Sequence, residues 1–161
     1  MKCGIKFTIQ HIYGSLLYDI LKGVIDKNSF WIVSNDQVFL IEPTKKFPGI
    51  FNGSIISGDE FERIICDNVY YIVFLNAYAY TSELDALNIA NLEQYFTIET
   101  FEEFSKSNCI IALYIYDSIN VEVAAKDESI ISIIQSNAEK AGFTDIKIIT
   151  ENETSILRLG E

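Results

Sequence analysis

Two stretches of this chain, residues 69–75 and 109–116, carry an apolar residue or tyrosine at every position. A strand with one solvated face alternates apolar and polar side chains, so a run that is apolar on both faces belongs in the interior of a sheet. Other segments are one-sided. Cys3, Ile5, Phe7 and Ile9 alternate with Lys6, Thr8 and Gln10, which is the pattern of a strand with one buried face. After Ser15, which is suited to cap a helix, Leu17, Ile20, Leu21 and Val24 recur at helical spacing. Residues 30–33 and 38–41 flank Ser34-Asn35-Asp36-Gln37. Asn and Asp tolerate positive φ, so the sequence predicts a tight hairpin there. The opening reads β-α-β-β.

Residues 42–57 form the main irregular segment, with Pro43, Pro48, Gly49 and Gly53. Ser57-Gly58-Asp59-Glu60 fits a capping box and predicts a helix to about Asp67. Within 76–96, Leu84, Leu87 and Leu92 point to loose helical turns. Thr100-Phe101-Glu102-Glu103 is a second capping box, opening a helix near 98–106. Residues 117–120 turn the second apolar run into a strand at 121–125. Asp127 then caps a helix with a stripe of Ile130, Ile134, Ala138 and Ala141, which Gly142-Phe143 ends through a left-handed glycine. A strand at 145–150 follows, and a short one at 155–159. The second half reads α-β-β-α-β. The expectation is one α+β domain over residues 1–161, with a mixed or mostly antiparallel sheet and about four helices, built from βαββ-like and ββαβ-like halves.

Composition narrows the function classes. The chain has 161 residues, 49% of them hydrophobic, enough for a substantial core without disulfide or metal support. Its three cysteines are an odd number, and Cys3, Cys66 and Cys109 all neighbour apolar residues, so they read as core thiols. With His11 they show no paired-ligand spacing, and neither a metal nor a cofactor is expected. Twelve basic and 23 acidic residues leave a net charge of −11. Such a surface repels phosphate, which disfavours nucleic acid and anionic membranes and favours a basic protein partner. No apolar run has the length of a signal peptide or a membrane span, so a cytoplasmic setting is expected. The charge is also uneven. Between Arg63 and Lys106 there is no Lys or Arg, whereas Asp67, Glu83, Asp85, Glu93, Glu99, Glu102 and Glu103 all lie there.

No motif reaches a catalytic signature. Gly49, Gly53 and Gly58 precede a helix as in a phosphate loop, but no Gly-Lys-Ser/Thr follows, and Asp59-Glu60 occupy the helix end an anion would need. His11 is the sole histidine, with no nucleophile elbow anywhere, and a structural hydrogen bond is the commoner role at a strand-to-helix junction. Carboxylates are too many for their spacing to single out a pair. No catalytic residue is assigned. Tyr78 and Tyr80, with Glu83 and Asp85, sit in the block free of basic residues and form the candidate binding face, since tyrosines beside carboxylates suit an interface. The alternative is a small-molecule sensor or enzyme with an aromatic pocket at His11, Tyr13, Lys45 and Lys46, near the proline loop. The leading expectation is a non-enzymatic acidic domain that binds a protein, with a toxin-neutralising, immunity-like role as its concrete form.

Three stretches carry a likeness. They are Gly4-Ile5-Lys6-Phe7 leading to Tyr13-Gly14-Ser15, the run from Thr100-Phe101-Glu102-Glu103-Phe104 to Cys109, and residues 121–150 with Lys126-Asp127 and Ala141-Gly142-Phe143. On these the chain resembles a domain-of-unknown-function family of small uncharacterised proteins from Bacillus and related Firmicutes. The resemblance spans nearly the whole length. It implies a bacterial cytosolic setting and carries over no catalytic residue.

Overall fold

The computed structural model describes residues 1–41, 50–51, 55–83, 85–86 and 98–159. In chain order the elements are β1 (Lys2–Thr8), α1 (Leu16–Leu21), β2 (Phe30–Leu40), β3 (Ile55–Ser57), α2 (Gly58–Asp67), β4 (Tyr70–Tyr80), α3 (Phe101–Lys106), β5 (Ile111–Tyr116), β6 (Asn120–Ala125), α4 (Glu128–Ala141) and β7 (Thr144–Thr150). A 3-10 turn, Thr154–Ile156, follows in place of the short last strand expected at 155–159. The strands form one sheet in the order β3-β2-β4-β5-β6-β1-β7, and every pairing is antiparallel. The α+β expectation holds. The first strand nevertheless pairs with β6 and β7 rather than with β2, so the two ends of the chain interlock and the βαββ-like half is not a separate unit.

The sheet is covered on both faces. On one side lie α1, α2 and α4, packed over Ile5, Phe7, Trp31, Ile72, Leu113 and Val123. On the other, Tyr78, Tyr80, Ala112, Ala124 and Ile149 pack with Ile98, Phe104, Leu157 and Leu159. Burial on two faces is what the apolar runs in β4 and β5 require. The caps form as the sequence predicts. Ser57 Oγ accepts the Glu60 N–H at 3.2 Å, and Thr100 Oγ1 accepts that of Glu103 at 3.2 Å. Asp127 accepts from Ser129 at 2.8 Å. Gly142 takes φ +77 to close α4.

Two strand expectations also fail. Residues 34–37 are not a hairpin turn but part of one continuous strand. The register runs Ser34↔Asn76, then Gln37↔Phe74, then Val38↔Ile72, so β2 and β4 each accommodate an extra residue at facing bulges. Each bulge shifts the alternation by one. Trp31 and Val38, of opposite parity, therefore both reach the helix side, as do Ile72 and Leu75. Similarly, residues 76–80 continue β4 as regular strand. The turns expected around Leu84, Leu87 and Leu92 fall on or among residues outside those described. Cys3 and Cys109 are buried as expected, whereas Cys66 is exposed on α2.

At the bulge, the Asp36 carboxylate accepts the Phe51 N–H at 3.2 Å and so ties residue 51 to the sheet. Burial raises the Asp36 carboxyl above its ordinary value, against the lowering effect of main-chain hydrogen bonds from Phe51, Val38 and Ile50. The folded state thus holds this proton more tightly than the unfolded chain does. Asp36 favours folding least once both states are ionised, and its contribution falls as pH rises from about 4 through the raised folded value. We expect Asp36→Asn, which keeps an acceptor and removes the charge, to raise the melting temperature at neutral pH. It should also flatten the pH dependence on the acid side. A steeper dependence in the variant would contradict this account.

Candidate functional site

After β1 the chain crosses through His11, Ile12 and Tyr13 to Gly14. Gly14 pairs with Tyr70 through both main-chain hydrogen bonds, at 3.0 and 3.1 Å. On the other flank of β4, the Ile41 N–H donates to the Val69 carbonyl at 3.1 Å. These bonds bring the 11–14 segment, the end of β2 and the start of β4 to one corner of the sheet. Phe39 and Tyr71 are directly opposed in register. They alternate with the helix-side residues Val38, Leu40, Tyr70 and Ile72 and so point to the opposite face.

The corner is apolar and open. Ile12 is 51% exposed, Tyr13 48%, Phe39 39%, Ile41 56% and Val69 44%. Among the described residues, five of the eight exposed large apolar side chains gather here. The Tyr71 ring lies 5.1 Å from that of His11 and 5.5 Å from that of Tyr13. The Tyr71 hydroxyl is hydrogen-bonded to His11 Nε2. Two exposed carboxylates lie close in the chain or the sheet. Asp67 ends α2 two residues before Val69. Asp117 stands in the β5–β6 turn, whose Ser118 N–H donates to the Val73 carbonyl at 3.1 Å. Aromatic and aliphatic side chains concentrated in one exposed patch mark an interaction surface more readily than a reaction centre.

The residues selected from sequence separate into different places. His11 and Tyr13 do come together, joined by Tyr71. Lys45 and Lys46 lie outside the described residues. Tyr78 and Tyr80 form no surface, being 1% and 0% exposed. They point from β4 into the second core layer, and burial holds both phenols well above their ordinary range. Glu83 is exposed and Asp85 half-buried, in the turn after β4, so these four do not compose one binding face. Nothing in the sequence marks Phe39, Ile41, Val69 and Tyr71 as a surface, because their apolar character reads equally well as core.

A cleft of about 350 Å³ lies elsewhere, lined by Thr100, Phe101, Glu102, Thr154, Ser155 and Leu157. Its carboxylate, Glu102, is already ion-paired to Lys106 at 2.8 Å. Among the described residues, no cluster of His, Cys, Asp and Glu is arranged to hold a metal ion, and no helix is long and apolar enough to cross a membrane.

Residues 2–159 match the family model described as "Protein of unknown function (DUF2691)". The chain belongs to the DUF2691 family. This DUF2691 protein is also 32% identical over 158 residues to "Uncharacterized protein YncE" of Bacillus subtilis (strain 168), with 96% of each chain covered. The likeness to uncharacterised Bacillus proteins seen in the sequence is thereby borne out. No solved structure matches the DUF2691 chain.

Proposed function

We propose that this DUF2691 protein is a non-enzymatic, cytoplasmic binding domain that docks a basic protein on the corner formed by Ile12, Tyr13, Phe39, Ile41, Val69 and Tyr71. The observation that carries the reading is the gathering of exposed apolar and aromatic side chains at that corner. Charge selects the partner. Val69 and Tyr71 belong to the stretch between Arg63 and Lys106 that contains no basic residue, and the whole chain carries −11. Tyrosine faces beside carboxylates receive lysine and arginine side chains through cation–π and ionic contact. Neutralisation of a basic toxin by an immunity-like complex is the concrete version of this role, on analogy alone.

The test compares the natural chain with a Phe39→Ser, Ile41→Ser double variant, which removes two apolar contacts without changing the charge; both positions are exposed, so the fold is retained. At low ionic strength the natural chain should recover a basic protein, and the purified pair should dissociate as salt is added. Loss of two central contacts should weaken binding by roughly 30-fold or more. An acidic partner, or one that binds the double variant equally well, would rule out this surface.

A further inference from the structure

On the face of the sheet away from the long helices, a row of polar side chains lies in register across the strands. Ser34 opposes Asn76, Asn76 opposes Tyr114, Tyr114 opposes Glu122, and Glu122 opposes Lys6. Glu122 is fully buried on this row. Its Oε1 is 3.1 Å from the Lys6 ammonium, an ion-pair contact outside hydrogen-bond geometry. Its Oε2 accepts two consecutive main-chain N–H groups, from Arg158 at 2.8 Å and Leu159 at 3.2 Å. Successive N–H groups converging on one oxygen, with a left-handed residue beside them, form an anion nest. Here Leu159 is the left-handed residue, at φ +55.

The rest of the contact is shaped to match. The Tyr78 hydroxyl donates to the Leu159 carbonyl at 3.2 Å. Leu157 fills the space left by a missing side chain at Gly4, where a Cβ would come within 2.7 Å of its Cδ1. Both leucines are buried, while Arg158 between them points outward. The sheet therefore reads residues 157–159 as a peptide, with two pockets for alternate leucines and a carboxylate for the main chain between them. This resembles how an extended ligand is read: main-chain bonds hold it and alternate side chains specify it.

Two features set this segment apart from the strands beneath it. The N–H groups of Arg158 and Leu159 and the Leu159 carbonyl are bonded to side chains, those of Glu122 and Tyr78. Leu159 also carries a conformation that a residue with a Cβ adopts only under constraint. The Lys6 ammonium faces Glu122 Oε1 from β1, so the carboxylate has a charge partner that is not part of residues 157–159. Asn76 Oδ1, buried on the same row, has no hydrogen-bond partner among the described residues and offers a further acceptor. We infer that residues 157–159 are a replaceable strap on a peptide seat built from Gly4, Lys6, Tyr78 and Glu122, and that the seat accepts the same segment supplied by a second copy of the chain. An identical element exchanged between copies needs no new complementarity.

The experiment uses the full chain and a fluorescein-labelled peptide of residues 154–161. Leu157→Ala weakens the chain's own strap without touching the seat. The peptide should bind this variant at least about tenfold more tightly than the natural chain, whose strap competes. Adding Tyr78→Phe should reverse much of that gain. No binding to a Leu157→Ala chain that keeps its circular dichroism, or equal binding to both chains, overturns the inference. If Leu157→Ala fails to fold, hydrogen exchange on the natural chain decides. Arg158 and Leu159 amides exchanging about tenfold or more faster than the Val123 amide support a strap that lifts by itself. Exchange of all three at one rate overturns it, because the strap would then open only with the whole sheet.

Discussion

Glu122→Leu should cost the fold about 2–4 kcal/mol, chiefly from two main-chain donors that lose a charged acceptor. The carboxylate accepts the N–H groups of Arg158 and Leu159 and faces the Lys6 ammonium. Leucine leaves both N–H groups without that acceptor, and an orphaned buried donor costs about 1–3 kcal/mol. Lys6 contributes less to the loss, because its side chain is 31% exposed and its ammonium can turn to solvent. Glu122→Gln keeps one acceptor oxygen and should lose about 1–2 kcal/mol, the difference between a charged and a neutral hydrogen bond. Lys6→Met made together with Glu122→Leu should cost less than the sum of the single changes, since the two groups are in contact. Urea unfolding of the natural chain, the three single variants and the double variant measures all of this. A Glu122→Leu chain within about 1 kcal/mol of the natural one would mean that the carboxylate organises nothing.

The importance of Glu122 could not be read from its neighbours. In Val121-Glu122-Val123 it has the look of an outward-facing polar residue on a one-sided strand. Only the topology, which lays β1 beside β6 and returns the tail across both, supplies its partners from residues 6, 158 and 159. The two-sided runs, by contrast, were legible because burial on both faces is written in composition alone, and so were the caps, which are local. The bulge at 34–37 uses the same Asn and Asp that a hairpin would use, and which of the two forms depends on a compensating bulge in β4. Tyr70 and Tyr71 show the same limit for the candidate site. The first is fully buried, its hydroxyl donating to Ile65 O at 2.9 Å; the second stands in the exposed corner with His11. Adjacent residues on a strand face opposite ways, but which face is covered is decided by helices far along the chain. The basic-free block did mark part of the right place, since Asp67, Val69 and Tyr71 belong to it. Its most regular tyrosines, Tyr78 and Tyr80, are the ones the second layer buries.

The second large effect is expected from one methyl group, and its sign separates two explanations of Gly58. Gly58 opens α2 directly after the Ser57 cap. By helix propensity alone, Gly58→Ala should stabilise by up to about 1 kcal/mol. The packing predicts the reverse. A Cβ at this position would stand 2.0 Å from the Asp26 carbonyl oxygen and 2.6 Å from Ser29 Oγ. Neither is free to move. Gly58 donates its own N–H to the Ser29 carbonyl at 2.7 Å. The turn is braced by Ser29 N–H and Oγ, both donating to the Asp26 carbonyl, and by Asn28 N–H on the Asp26 carboxylate. Alanine must therefore displace α2 itself, and with it Phe61, whose ring stacks on Trp31 at 4.3 Å. Overpacking against a rigid neighbour costs about 1–3 kcal/mol, and disturbance of the buried aromatic stack adds to it. We expect Gly58→Ala to lose at least about 2 kcal/mol in urea unfolding. Because Trp31 is the sole tryptophan and fully buried, its fluorescence should change in the folded state as the stack shifts. A variant as stable as the natural chain, with unaltered Trp31 emission, would show that α2 yields to the turn and that the glycine is there for helix initiation only.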